Sequence, residues 1–187
     1  MSVEIMIDYV LGDMTARYVT DEEKKSVGFL LLPGELPLKS MPDRNEKIDS
    51  MIQLKLCGDI YDEAYAMGSS MRNAETVRRF VYERQEHEVK DQTEEVRTYL
   101  ASGDGRYQAV HHLLWKKGTP YVRIFCSLEN IVNETLKLEM FESFSLGGLS
   151  PYLEGDGHGR LRLHRFRSVW SQEGRHETIP LEDLQLV

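Results

Sequence analysis

Between residues 77 and 144 the chain keeps returning to a period-two alternation of apolar and polar side chains, and this constrains its fold more than any other feature. A period of two sends successive side chains to opposite faces of an extended strand, whereas a helix groups them every third or fourth residue. Segments 77–89, 96–100, 107–115, 121–128 and 136–144 follow the alternation. In the first, Phe80 and Tyr82 oppose Val77 and Val81. The connections SGDG, KKGTP and ENIVNE are rich in residues that reverse a chain. Lys117-Gly118-Thr119-Pro120, between two such segments, predicts a β-hairpin. Many short strands at this spacing, with little helix between them, imply an all-β antiparallel sandwich.

The earlier part of the chain agrees. Residues 3–10 and 15–20 read as strands joined by a turn at LGDM. The apolar run SVGFLLL (26–32), stopped by Pro33-Gly34, reads as a strand buried on both faces. Residues 37–46 hold Pro37 and Pro42 and read as a loop. In MIQLKLC (51–57), Met51, Gln53, Lys55 and Cys57 alternate with Ile52, Leu54 and Leu56, which predicts a further strand. Residues 58–73 read as a long loop with at most one helical turn near DEAYAM. Tyr121 and Phe125 stand on one side of their strand, and Val122, Ile124, Cys126 and Leu128 on the other. Apolar residues on both faces imply a second layer of cover. No repeat or linker divides the chain, so residues 1–187 are expected to form one β-sandwich domain.

Charge narrows the partners. The net charge of −8 argues against nucleic acid, whose phosphates require a basic face. No apolar stretch approaches the roughly 20 residues of a membrane-spanning helix. The segment MSVEIMIDYV has neither a basic nor a long apolar signal region, so a cytoplasmic location is expected. Cys57 and Cys126, each within an apolar run, are then expected as buried free thiols. Asn133-Glu134-Thr135 fits a glycosylation sequon and reads as incidental in that setting.

Against this acidic background, residues 155–186 stand out. Arg160, Arg162, Arg165 and Arg167 fall there with His164 and Trp170. A strand through them would set Arg160, Arg162, His164, Phe166 and Trp170 against Leu161, Leu163, Arg165, Arg167 and Val169. These arginines either pair with the acidic run 83–95 or sit solvated on an edge, or else they form an interface or ligand wall, where Arg and Trp dominate binding energy. His164, Arg165, Arg167, Trp170 and Glu173 are the candidate contact residues. His111 and His112 would point to opposite faces of a strand and could not chelate one ion. No cysteine-pair, zinc-protease, phosphate-loop or nucleophile-elbow motif is present, so neither metal nor cofactor is expected. His158, His164 and His176, with Glu173 or Glu182, supply titratable groups without defining a mechanism.

Three segments resemble the N-terminal β-sandwich domain of family 36 glycoside hydrolases, the bacterial α-galactosidases. They are GDIYDEAYAMGSSMRNAETVRRFVYERQE (58–86), HHLLWKKGTPYVRIFCSLENIVNETLKLEMFESFSLGGLSPY (111–152) and HRFRSVWSQEGR (164–175). LEMFESFSLGG and HRFRSVW are the most specific parts, and the resemblance covers most of 45–187. It implies a β-supersandwich of the galactose-mutarotase type. In the family this is followed by a catalytic (β/α)8 barrel and a small C-terminal β-domain. The barrel holds two catalytic aspartates, one of them in a Lys-x-Asp-x-Asn-like segment. Lys47-Ile48-Asp49 and Lys90-Asp91 do not fit that pattern. The resemblance therefore implies a non-catalytic module, the N-terminal part of a longer chain. Its partners would be the barrel, neighbouring subunits and, through the whole enzyme, an α-galactoside. The family's domain is usually longer than 187 residues, so the resemblance implies that these residues are less than the full sandwich. Two other readings use the same residues. One is a free-standing carbohydrate-binding sandwich with Trp170, Trp115 and the loop 155–159 as contacts. The other is a mutarotase-type epimerase pairing His112 or His164 with a carboxylate such as Glu173.

Overall fold

The computed structural model describes residues 3–21, 25–34, 49–60, 73–147, 159–168, 170–171 and 173–184. The chain divides into two compact units, Met1–Pro37 with Arg44–Leu149, and Leu38–Asp43 with Ser150–Val187. Among the described residues both are built on antiparallel strands, and helix is confined to single turns. The protein is all-β, as the alternation requires.

In the first unit, β1 (Val3–Leu11), β2 (Met14–Asp21) and β3 (Val27–Pro33) form a sheet in that order. Leu11 faces Met14 across the two-residue turn Gly12-Asp13, and Gly12 has φ 65°. A positive φ at the first turn position is what glycine allows and what the strand twist favours. β4 (Leu54–Leu56) pairs with β9 (Leu138–Phe141). The helical turn α1 (Glu75–Arg78) precedes a meander of β5 (Phe80–Lys90), β6 (Thr93–Ser102), β7 (Tyr107–Lys116) and β8 (Val122–Asn130). The predicted hairpin at 117–120 joins β7 to β8 and closes with Gly118 at φ 84°.

The meander turns one face inward with little deviation. On β7 Tyr107, Ala109, His111, Leu113 and Trp115 are buried while the residues between them are less so. On β6 Val96, Thr98, Leu100 and Ser102 do the same. Leu11, Ala16, Tyr18, Val27 and Phe29 of the first sheet meet them in one core, together with Met51, Ile52 and Leu54. The two faces also share polar ties. The Tyr9 hydroxyl donates to Gln85 Oε1 at 2.9 Å, and Gln85 Nε2 donates to Thr98 Oγ1 at 2.8 Å. β2 is buried on both faces, and its Arg17 holds Asp8 through Nε and Nη2 at 2.8 and 2.9 Å. β3 is largely buried on both faces too, as its apolar run implied. The second face of β8 is different: Tyr121 and Phe125 are exposed there.

Several expectations require correction. Residues 51–57 do not form one alternating strand. Met51, Ile52, Gln53 and Leu54 are all buried, and only Leu54–Leu56 is extended in a ladder. Gln53 stays there because its side chain serves the neighbouring loop: Nε2 donates to Asn73 Oδ1, and Oε1 accepts from the Asn73 amide. That pairing meets the hydrogen-bonding demand that burial imposes. Cys57 consequently lies in the turn after β4, exposed, while Cys126 is partly buried and both thiols are free. Val77 belongs to α1, not to a strand continuous with Phe80. The segment 136–144 is extended in a ladder only from Leu138 to Phe141. The possible helical turn at DEAYAM, the 37–46 loop and the 155–158 part of the glycine-rich loop lie outside the described residues.

His111 is a polar residue at the centre of the core. It is fully buried between the Phe29 and Tyr18 rings, at centroid distances of 5.2 and 6.4 Å. Neither ring nitrogen has a hydrogen-bond partner among the described residues. Burial pushes its pKa down to about 3, with His112 adding a smaller effect in the same direction. The folded chain thus keeps the ring neutral, while the unfolded chain takes a proton below about pH 6.5. Stability from this residue is present above that pH and falls as pH drops toward 3, by up to about 1.4 kcal/mol per pH unit. His111→Leu, close in volume, should flatten that loss. Urea midpoints at pH 7 and pH 4.5 check it, and equal pH slopes in both proteins would refute it.

Candidate functional site

The second unit contains the arginine-rich run. Strand β10 (Arg162–Arg167) pairs antiparallel with β11 (Arg175–Pro180), followed by a 3-10 turn, Glu182–Leu184. Ser171 and Gly174 have φ of 66° and 73° in the connection, and the Gly174 amide donates to Arg167 O at 3.0 Å. At the other end the Gly159 amide donates to Glu182 Oε1 at 2.5 Å.

Strand alternation then divides the hairpin. One face carries Leu163, Arg165 and Arg167 opposite Ile179, Glu177 and Arg175. Glu177 accepts from Arg165 Nε at 2.7 Å and from Arg167 Nε and Nη2 at 2.8 and 2.9 Å. These bonds, Arg167's first, hold its carboxyl down at about 2. The other face carries Arg162, His164 and Phe166 opposite Pro180, Thr178 and His176. The rings of His164 and His176 stack, and Phe166 tilts against His176 with centroids 5.3 Å apart. Phe166 is 73% exposed, and Trp170, in the connecting turn, is 92% exposed.

The candidate residues are therefore distributed as follows. Arg165 and Arg167 converge on one carboxylate of their own hairpin. His164 shares a hydrogen bond with Thr178 Oγ1, 3.0 Å from Nδ1, on the opposite face. Trp170 and Glu173 lie in the exposed connection. The acidic run 83–95 has its own partners. Arg97 meets Glu86, Glu88 and Glu95, Arg84 meets Glu86, and His87 meets Glu94.

His111 and His112 do point to opposite faces, as adjacent strand residues must. His112 lies between Glu95 Oε1, 3.2 Å from Nδ1, and Ser127 Oγ, 3.0 Å from Nε2, and stacks on Phe125 at 4.4 Å. Arg84 sits over the Tyr99 ring at 3.6 Å, and the Tyr99 hydroxyl donates to Glu86. A polar and aromatic seam thus crosses all four strands of the meander on its outer face. The sequence did not disclose it, because its partners are cross-strand neighbours, directly opposite or diagonal, that only the register brings together. Trp115, proposed as a sugar contact, is buried and donates Nε1–H to Thr119 O at 2.9 Å, which removes it from that role. The carboxylate beside His112 is Glu95.

Among the described residues no three potential metal-ligating side chains converge, and no helix is long and apolar enough to cross a membrane, which leaves β-barrels unaddressed. The chain matches no protein-family model, no curated protein and no solved structure.

The depressed carboxyl of Glu177 gives the hairpin a definite acid response. Its ion pairs are complete above the ordinary carboxylate range and are lost only as pH falls toward about 2. A carboxyl-carbon NMR titration should show that low midpoint, and Arg167→Gln should raise it toward the ordinary value. An unchanged midpoint in the variant would disprove the pairing.

Proposed function

We propose that this chain is the non-catalytic N-terminal β-sandwich module of an α-galactosidase-like glycoside hydrolase. In that role it supports a catalytic barrel, contributes to oligomerisation and borders the substrate pocket. Two things support the reading: the all-β antiparallel fold, and the likeness of three segments, in order, to the family 36 domain. The observation that carries it is the state of the HRFRSVW segment. Its arginines are held in place by Glu177, and it presents Phe166 and Trp170 to solvent. Exposed aromatic residues have the composition of interface anchors, and the guanidinium groups ordered on the other face of the hairpin hold the strand that presents Phe166, which lowers the cost of association.

On this reading the chain alone does not turn over an aryl α-galactoside. In an enzyme carrying this module ahead of its barrel, Arg165→Gln with Arg167→Gln lowers thermal stability and activity together. Hydrolysis by the isolated chain that a point mutation abolishes would overturn the proposal, as would a double variant indistinguishable from the parent enzyme.

Trp170 favours a second reading, a carbohydrate-binding sandwich, because a ring exposed to that degree offers an apolar platform for a sugar face. Galactose or raffinose should then quench tryptophan fluorescence saturably, and Trp170→Ala should abolish the response. No saturable change in the parent chain removes this reading.

A further inference from the structure

The proposed docking role leaves two imidazoles of the hairpin without a task. His164 and His176 stand on adjacent strands, diagonal to one another in the register. Their ring planes are 8° apart and their centroids 5.6 Å apart. Thr178 Oγ1 occupies Nδ1 of His164, which leaves Nε2 as its coordinating nitrogen. Metal-bound histidines are commonly held this way, one nitrogen on the ion and the other in a hydrogen bond that fixes the ring. His176 is steadied instead by Phe166, whose ring lies tilted against it.

We propose that His164 and His176 form a two-histidine site for a late first-row transition-metal dication, of the Cu2+, Ni2+ or Zn2+ type. Imidazole is the ligand these ions share, and hard cations such as Mg2+ and Ca2+ prefer oxygen. A metal–nitrogen distance of about 2.0–2.1 Å requires the two nitrogens to approach to roughly 3 Å. His176 reaches that point by rotating about χ2, a soft torsion, while Thr178 holds the His164 ring in place. Water completes the coordination, so the site is open. Arg162 on the same face, and Arg165, Arg167 and Arg175 on the other, oppose the added charge. Glu177 offsets part of it, and salt screens the remainder over about 8–10 Å. The ion would fasten β10 to β11 beside Phe166, ordering the face that carries the exposed aromatic residues. This assignment does not depend on the docking role.

Calorimetric titration of the untagged chain with NiCl2 and ZnCl2 tests it. The parent should bind one ion. His164→Gln and His176→Gln should each weaken binding on the order of tenfold or more, since even residues that merely support a ligand matter on that scale. His87→Gln, at an exposed histidine of the first unit, should change nothing. Single variants within twofold of the parent would overturn the chelate, as would absence of binding. A second measurement avoids any effect of substitution on folding. Ni2+ added to the parent chain should broaden the NMR signals of His164 and His176 together before those of His87 and His112, and any other order refutes the site.

Discussion

The sandwich rests on the inner face of β7, where Tyr107, Ala109, His111, Leu113 and Trp115 are all committed to the core. Because side chains alternate along a strand, one step of slippage in the meander would expose all five and bury Gln108, His112 and Lys116. Its neighbours hold that register. β6 and β8 pair with β7 along most of its length, and Trp115 ties the following turn through Thr119. Tyr18 and Phe29 then close over the buried imidazole from the opposing sheet. The core tolerates His111 as a neutral ring packed between aromatics, which binds its stability to pH.

Strand periodicity was legible wherever one face of a strand is wet and the other dry. The strands at 96–100, 107–115 and 121–128 and the opposed directions of His111 and His112 all followed from it, whereas the two N-terminal strands were read from their Val, Ile, Tyr and Thr content. It failed where burial is not one-sided. Residues 51–54 are enclosed on every side, so their alternation carried no information about direction, and the pairing of Gln53 with Asn73 could not be anticipated from spacing. Val77 continues the apolar alternation of the next strand, yet it occupies a helical turn whose Glu75 pairs with Arg79. Such local capture competes with strand periodicity within a few residues.

The arginine run shows a different limit. Its alternation was readable, and the split of Arg165 and Arg167 from His164 and Phe166 is the split on β10. The carboxylate that both arginines use was not, because a partner strand's register is fixed by turn length, which composition does not encode. The same gap hid the seam of Glu95, His112, Phe125 and Ser127. Charges and rings visible one by one become a surface only through pairing.

The unequal surroundings of the two cysteines have a practical consequence. Cys126 faces inward on β8, where burial pushes its thiol up to about 12, and it donates to Met51 O at 3.8 Å. Cys57 sits in a solvent-facing turn. Nucleophilic attack needs the thiolate, so a maleimide dye at neutral pH would find a single attachment point in the folded protein. The native sequence already holds a site-selective optical reporter beside the small β4–β9 sheet, and no engineering is required to place it.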